Sequence, residues 1–289
     1  MFQFQFNIFI LRLKDLRHSS DNLVEININT PILRVESLCV KKIDRFASNS
    51  KVIIDDLSFS IERGEFFTIV GENGSGKSTL AHSLTGLLKP TVFDITGTIL
   101  LEENNLLKIP KAELEQIRKK EISYIFQNPY ASFDPIRRIG SQMMTDQLYA
   151  STKIVEEHFS KLKLNSGSNI LKKFPFQLSG GMLQRVSAVR AILSNPKLII
   201  ADEPTSALDK PISNLFMDYL MSFKNNSGAT ILFITQDFKL AAKYSDKIAV
   251  LKSGKIHSIH QRNEFLKSSS DPYITKLYNS YNFIYESVE

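Results

Sequence analysis

The 289-residue chain has no tryptophan and a single cysteine, Cys39. One cysteine cannot close a disulfide within the chain or build a cysteine-only metal or iron–sulfur site, a pattern that fits a reducing, cytoplasmic compartment. Long apolar runs are also missing. None reaches the roughly 20 residues of a spanning helix, so any membrane role is expected to be peripheral. Charge is not concentrated: the formal net charge is +6, yet Lys and Arg are scattered rather than blocked, and no nucleic-acid partner is expected. Internal repeats and low-complexity tracts are absent.

What is present suffices for a full core, with 43% apolar and 23% charged residues. At the N-terminus Phe2, Phe4, Phe6 and Ile8 alternate with Gln3, Gln5 and Asn7, the period of a strand with one buried face. Lacking a basic leader and a small-residue cleavage site, this segment does not read as an export signal. An added edge strand, a surface-seeking segment and a misassigned start codon are the readings it allows. Beyond a polar stretch at His18–Asn22, strands are predicted over Leu33–Val40, Ile53–Ile61 and Phe66–Val70, and a helix over Ser78–Leu87. Further short apolar runs at Ile122–Phe126, Leu198–Ala201, Ile231–Ile234 and Lys247–Leu251, most followed by helical patterns, predict an α/β body with a buried, largely parallel sheet. Between Asn128 and Gly180 this rhythm gives way to turn residues and helix-like pieces, read as an inserted helical lobe.

Gly71-Glu72-Asn73-Gly74-Ser75-Gly76-Lys77-Ser78-Thr79 follows an apolar strand and opens a helix, matching the phosphate-loop pattern G-x-x-x-x-G-K-[ST]. Such a loop curls its N–H groups inward as an anion nest at a helix N-terminus. In that setting Lys77 reaches the β- and γ-phosphates and Ser78 offers its hydroxyl to Mg²⁺. Gly71, Asn73, Gly74, Ser75, Gly76 and Thr79 complete the predicted cradle. The strand Leu198–Ala201 then delivers Asp202 and Glu203 at its carboxyl end, where ligands sit in open α/β sheets. Asp202 is the expected Mg²⁺ carboxylate and Glu203 the base that orients the attacking water.

Between these motifs stands Leu178-Ser179-Gly180-Gly181-Met182-Leu183-Gln184-Arg185, with which the chain resembles the ABC-type ATPases; their signature usually ends in Gln where Met182 stands here. The resemblance covers Leu33 to Leu251. It implies a phosphate-loop NTPase core with a parallel sheet, an antiparallel β lobe and the inserted helical lobe (about 128–180), all within residues 32–260. Residues 1–31 would be an N-terminal extension and 261–289 a tail. ATP and Mg²⁺ are the implied cofactors. Gln127 matches the family's glutamine that touches Mg²⁺ or the attacking water, and Asp209, in Ser206-Ala207-Leu208-Asp209, matches the loop that crosses between subunits. Ser179, Gly180 and Gly181 would cap the ATP held by an opposite subunit, and Phe46 is the aromatic assigned to adenine stacking. In Phe233-Ile234-Thr235-Gln236-Asp237, Gln236 occupies the place of the family's usual switch histidine. It keeps an N–H donor but cannot carry a proton.

Phe126-Gln127-Asn128-Pro129, Phe133-Asp134-Pro135 and Asp271-Pro272-Tyr273 resemble the peptide and nickel importer branch. Pro175-Phe176-Gln177 before Ser-Gly-Gly-Met-Leu-Gln-Arg looks closest to its nickel-importer ATPases. The implied role is the ATP-hydrolysing subunit of an importer for nickel, a metal chelate, oligopeptides or dipeptides, peripheral on the cytoplasmic face of the membrane. Implied partners are a second ATPase subunit, expected to be a different chain, two transmembrane permease subunits and an extracytoplasmic solute-binding protein. Tyr130 and Phe133 mark where a permease helix is expected to dock, ordinary packing being the other reading. The competing functions are an ATP-binding regulatory subunit with a degenerate site, for which Gln236 argues, and a soluble non-transport ABC protein. Of the histidines, only His257 and His260 are close enough in sequence to suggest a metal pair, and a solvated pair is the simpler reading.

Overall fold

In the computed structural model, residues 30–43, 50–143, 151–164, 167–265, 271–277 and 279 are described. The N-terminal alternation and Phe46 lie outside them. Residues from Pro31 onward group as one unit. The chain begins with β1 (Leu33–Lys42), β2 (Lys51–Ile61) and β3 (Phe66–Val70), then α1 (Lys77–Leu84), β4 (Phe93–Leu101), β5 (Asn104–Asn105) and α2 (Lys111–Lys120). After β6 (Ile122–Ile125) come the lobe helices α3 (Ile139–Met143), α4 (Thr152–Lys161) and α5 (Gly167–Lys172), then α6 (Gly180–Leu193). The remaining elements are β7 (Leu198–Asp202), α7 (Lys210–Ser227), β8 (Thr230–Thr235), α8 (Phe238–Tyr244), β9 (Lys247–Lys252), β10 (Lys255–Gln261) and α9 (Arg262–Phe265).

Two sheets carry the fold. The strand order β2-β1-β4-β5 is antiparallel, and the order β10-β9-β3-β8-β7-β6 is parallel except for β10 at its edge. β3, β7 and β8 are buried at every position, which is why they read as unbroken apolar runs rather than alternating ones. The alternation is still there, but it sorts residues between two cores. Phe66, Ile199, Ala201, Ile231 and Phe233 face one cluster with the helical lobe and α7. Phe67, Ile69, Leu198, Ile200, Leu232 and Ile234 face the other, with the antiparallel sheet and α1.

Among the described residues the helical lobe has no separate core: Ile139, Met143, Val155 and Phe159 join Phe66 and Phe233 in a single cluster. Phe133, offered by the sequence as a docking aromatic, is buried in that cluster with the Arg190 guanidinium 5.3 Å from its ring centre, so its role is packing. Tyr130 remains partly exposed, its hydroxyl donating to the Leu178 carbonyl (3.2 Å).

Parallel pairing aligns the strand ends. Val70 lies opposite Thr235, Asp202 opposite Ile234, and Ile125 opposite Ala201. The segments that follow β3, β6, β7 and β8 therefore leave one edge of the sheet together. Phe233, fully buried and edge-on to Phe66 (ring centres 5.9 Å apart), links sheet and lobe. Phe233→Ala should lower stability by about 3–5 kcal/mol, read as a fall in the chemical-denaturation midpoint of the nucleotide-free chain.

Candidate nucleotide site

The loop after β3 takes its shape from glycine where no other residue fits. Gly76 has φ 104°, and a Cβ there would stand 2.8 Å from Ile54 Cδ1 of the antiparallel sheet. The loop is also tied to the β9–β10 turn by the Gly254 N–H, which donates to the Ser75 carbonyl (2.9 Å). Lys77, the first residue of α1, is folded back into the loop, donating to the Gly71 and Glu72 carbonyls at 2.9 Å each. Its ammonium stands 3.7 Å from Glu203 Oε1. Burial pushes Lys77 below the ordinary lysine pKa, opposed by the negative charges of Glu203 and Asp202.

Asp202 closes β7 and is 3% exposed. Ser78 Oγ donates to its Oδ1 (3.3 Å) and the Tyr124 hydroxyl to its Oδ2 (3.2 Å). Burial raises the Asp202 pKa despite these donors, so the carboxylate is held with less positive charge than it can use. The next residue, Glu203, adopts a left-handed backbone (φ 43°), an uncommon state for a side chain of this size. Its N–H is anchored on the Ile234 carbonyl at 2.8 Å. This kink turns the Glu203 carboxylate toward the loop, where Gln127 Nε2 donates to Oε2 (3.1 Å) and Gln236 Nε2 to Oε1 (2.7 Å).

Four sheet-edge segments thus converge as the sequence predicted. Asn73, Gly74, Gly76, Lys77, Ser78, Thr79, Gln127 and Glu203 line one cleft of about 600 Å³. Asp202 joins through Ser78, and Gln236 through Glu203. Sequence reasoning missed Lys42, Lys51, Val52, Ile53 and Ser253, which line the same cleft from β1, β2 and the β9–β10 turn. It also missed Tyr124, whose hydroxyl near the end of a short buried strand was the available signal.

Ser179, Gly180, Gly181 and Asp209 do not line this cleft. Ser179 caps α6, accepting from the Met182 N–H (3.3 Å), and Asp209 caps α7, accepting from the Ile212 N–H (2.9 Å). Gly180 is open on its outer side, with no atom within 4 Å of a built Cβ. A helix start left open beside Gly180 suits an anion brought from outside the chain. The histidine pair does not form, because His257 and His260 are three apart on β10 and point to opposite faces. His257 instead contacts Asp271 Oδ2 at 2.8 Å and packs edge-on to Tyr273, which joins the tail motif to the sheet.

Residues 54–206 match the ABC transporter family, and the chain belongs to it. It is 35% identical to the oligopeptide transport ATP-binding protein OppD of Lactococcus lactis over 82% of this chain and 72% of that protein. Identity to the metal-staphylopine import system ATP-binding protein CntD of Staphylococcus aureus is 34%, over 71% of this chain and 78% of that one. Among solved structures, the ATP-binding cassette MJ0796 bound to ADP and Pi superimposes with a TM-score of 0.69, at 26% identity over 80% of this chain and 98% of that one. The α/β fold with its two sheets and helical lobe is that of an ABC ATPase, and the chain is a nucleotide-binding ATPase of the transport type.

The buried Asp202 carboxylate gives a test of the site's electrostatics. With its pKa raised on folding, the native state keeps a proton that the unfolded chain has already released. Stability of the nucleotide-free chain therefore falls as pH climbs from the unfolded value of 3.8 through the raised native one. Asp202→Asn removes that loss, and its thermal midpoint at neutral pH should exceed that of the native protein when no nucleotide is present.

Proposed function

We propose that the cleft binds ATP with Mg²⁺ and that its hydrolysis powers an importer of short peptides or of a chelated metal such as nickel. The convergence of Lys77, Gln127, Asp202 and Glu203 on one sheet edge carries the ATPase part. The transport systems named for the relatives, which include a dipeptide transport ATP-binding protein of Bacillus subtilis, support the solute class. The same likeness supports permease subunits and a second ATPase subunit as partners. Among the described residues no helix is long and apolar enough to cross a membrane.

In this reading Lys77 exchanges its carbonyl partners for the β- and γ-phosphates, and Gly74 to Thr79 wrap the phosphate chain. Glu203 accepts a hydrogen bond from the attacking water and takes its proton as the bond to the γ-phosphorus forms and the bond to the ADP oxygen breaks. Ser78 and Asp202 fit a magnesium ion: a hydroxyl and a charge-poor, buried carboxylate lie side by side, and this metal takes few protein ligands, the rest coming from phosphate and water. Bound there, it would neutralise phosphate charge. Among the described residues no group of three or more His, Cys, Asp or Glu forms an alternative metal cage.

Gln236 occupies the place where the family resemblance implies a histidine, and in this reading the site built on Lys77 hydrolyses slowly, while the signature at Ser179 and Gly181 serves the nucleotide of a different partner subunit. Two measurements check this. In vesicles containing the assembled transporter, ATP-driven uptake of labelled dipeptide, oligopeptide or nickel chelate should vanish with Lys77→Ala, and unaltered uptake would defeat the proposal. In single-turnover hydrolysis, Gln236→His should raise the rate at this site about tenfold or more. It should also introduce an ionisation near about pH 6.5 that the amide cannot show. An unchanged rate would refute the slow-site reading.

A further inference from the structure

The Gln236 amide does something that a histidine in its place cannot. Its Nε2 donates to Glu203 Oε1 at 2.7 Å and to Asn73 Oδ1 at 2.7 Å, spanning from the catalytic carboxylate to the phosphate loop. An amide nitrogen carries two protons, so it serves both acceptors at once, whereas each nitrogen of a neutral imidazole carries at most one. All three residues have anchored backbones. Asn73 sits at the crest of a turn closed by the Ser75 N–H on the Glu72 carbonyl (3.2 Å). Glu203 is held on Ile234. Gln236 lies between Thr235, whose hydroxyl accepts from the Asp237 N–H (2.9 Å), and Asp237, which caps α8 through the Leu240 N–H (2.9 Å).

Long, flexible side chains lose rotamer freedom when a catalytic geometry is imposed on them. A glutamine, with three rotatable side-chain bonds, has more to lose than a histidine with two. Asn73 supplies the second contact that fixes it. Gln127 holds the other oxygen of Glu203 and Lys77 stands 3.7 Å from Oε1, so the carboxylate is bounded on both sides and a misdirected Gln236 would leave Oε1 short of its amide donor.

We infer that Asn73 is a positioning residue matched to Gln236: its side-chain carbonyl fixes the glutamine amide against Glu203, compensating in part for the histidine that is missing. The inference rests on the ATPase reading of this cleft. It assigns Asn73 a role distinct from cradling phosphate and makes the pair 73/236 a unit, so that changing one position alters what the other contributes.

The test is a double-mutant cycle in the full chain within the assembled transporter, with Asn73→Ser, Gln236→His and both together. Single-turnover rates at this site are measured with the transporter in saturating excess over MgATP, and nucleotide affinity with a fluorescent ATP analogue. Asn73→Ser should lower the rate by about three- to tenfold in the native background, the worth of one hydrogen bond, while affinity changes by less than about twofold. With Gln236→His already present, Asn73→Ser should change the rate by less than about twofold. Equal losses in both backgrounds, or a loss of affinity that accounts for the loss of rate, would overturn the inference and leave Asn73 as part of the phosphate cradle. Glu203→Gln separates the two readings. If it removes the activity while the cycle is additive, the Asn73 role fails alone. If it leaves hydrolysis unchanged, the ATPase reading of the cleft fails and the positioning role with it.

Discussion

A buried ammonium has to be given oxygen partners, and the arrangement of this molecule's reactive edge follows from how Lys77 finds them. At 5% exposure, its charge is answered by two carbonyls of its own loop and, at longer range, by Glu203. Those partners come from segments far apart in sequence, and they meet only because β3 and β7 run parallel on either side of β8. Desolvation weakens the hold on the proton while the neighbouring carboxylates strengthen it. The result is a cation under tension, with phosphate oxygens as stronger acceptors than the carbonyls it now uses.

Asp202 is the counterpart. Its burial is not fully answered by the hydroxyls of Ser78 and Tyr124, so the two ends of the site carry opposite and complementary deficits. The nucleotide and divalent cation proposed for this site would relieve both deficits. The left-handed backbone of Glu203 is a second local cost, of order 1–3 kcal/mol, sustained by its N–H bond to Ile234.

The parts of this site written contiguously were legible in the sequence: the glycine loop, the Asp-Glu strand end and the glutamines at two other strand ends. The short strands β3, β7 and β8 were legible too, since burial on both faces leaves mostly apolar residues. The rest depended on tertiary placement. β4, with Asp94, Thr96, Gly97 and Thr98 among its residues, carries too much polar character to declare itself as a strand. Lys42, Lys51 and Ser253 reach the cleft from elements with no motif of their own. Phe133 resembled a surface aromatic in sequence because nothing local reveals Arg190, which lies on a helix far along the chain. His257 and His260 stand close in sequence, whereas the contact of His257 with Asp271 joins positions whose spacing reveals nothing of it.

The cluster joining Phe66 and Phe233 to Ile139, Val155 and Phe159 bears on how the chain can be cut and rebuilt. A lobe that owned its core could be excised, swapped with that of a relative, or expressed by itself. This one cannot, because its removal would uncover the part of the parallel sheet that α7 does not cover, and an isolated lobe would present the matching apolar surface to water. Chimaeras that exchange the lobe between importers must therefore carry the facing residues of β3, β7 and β8 with it, so the smallest transferable unit is the lobe together with one side of the sheet.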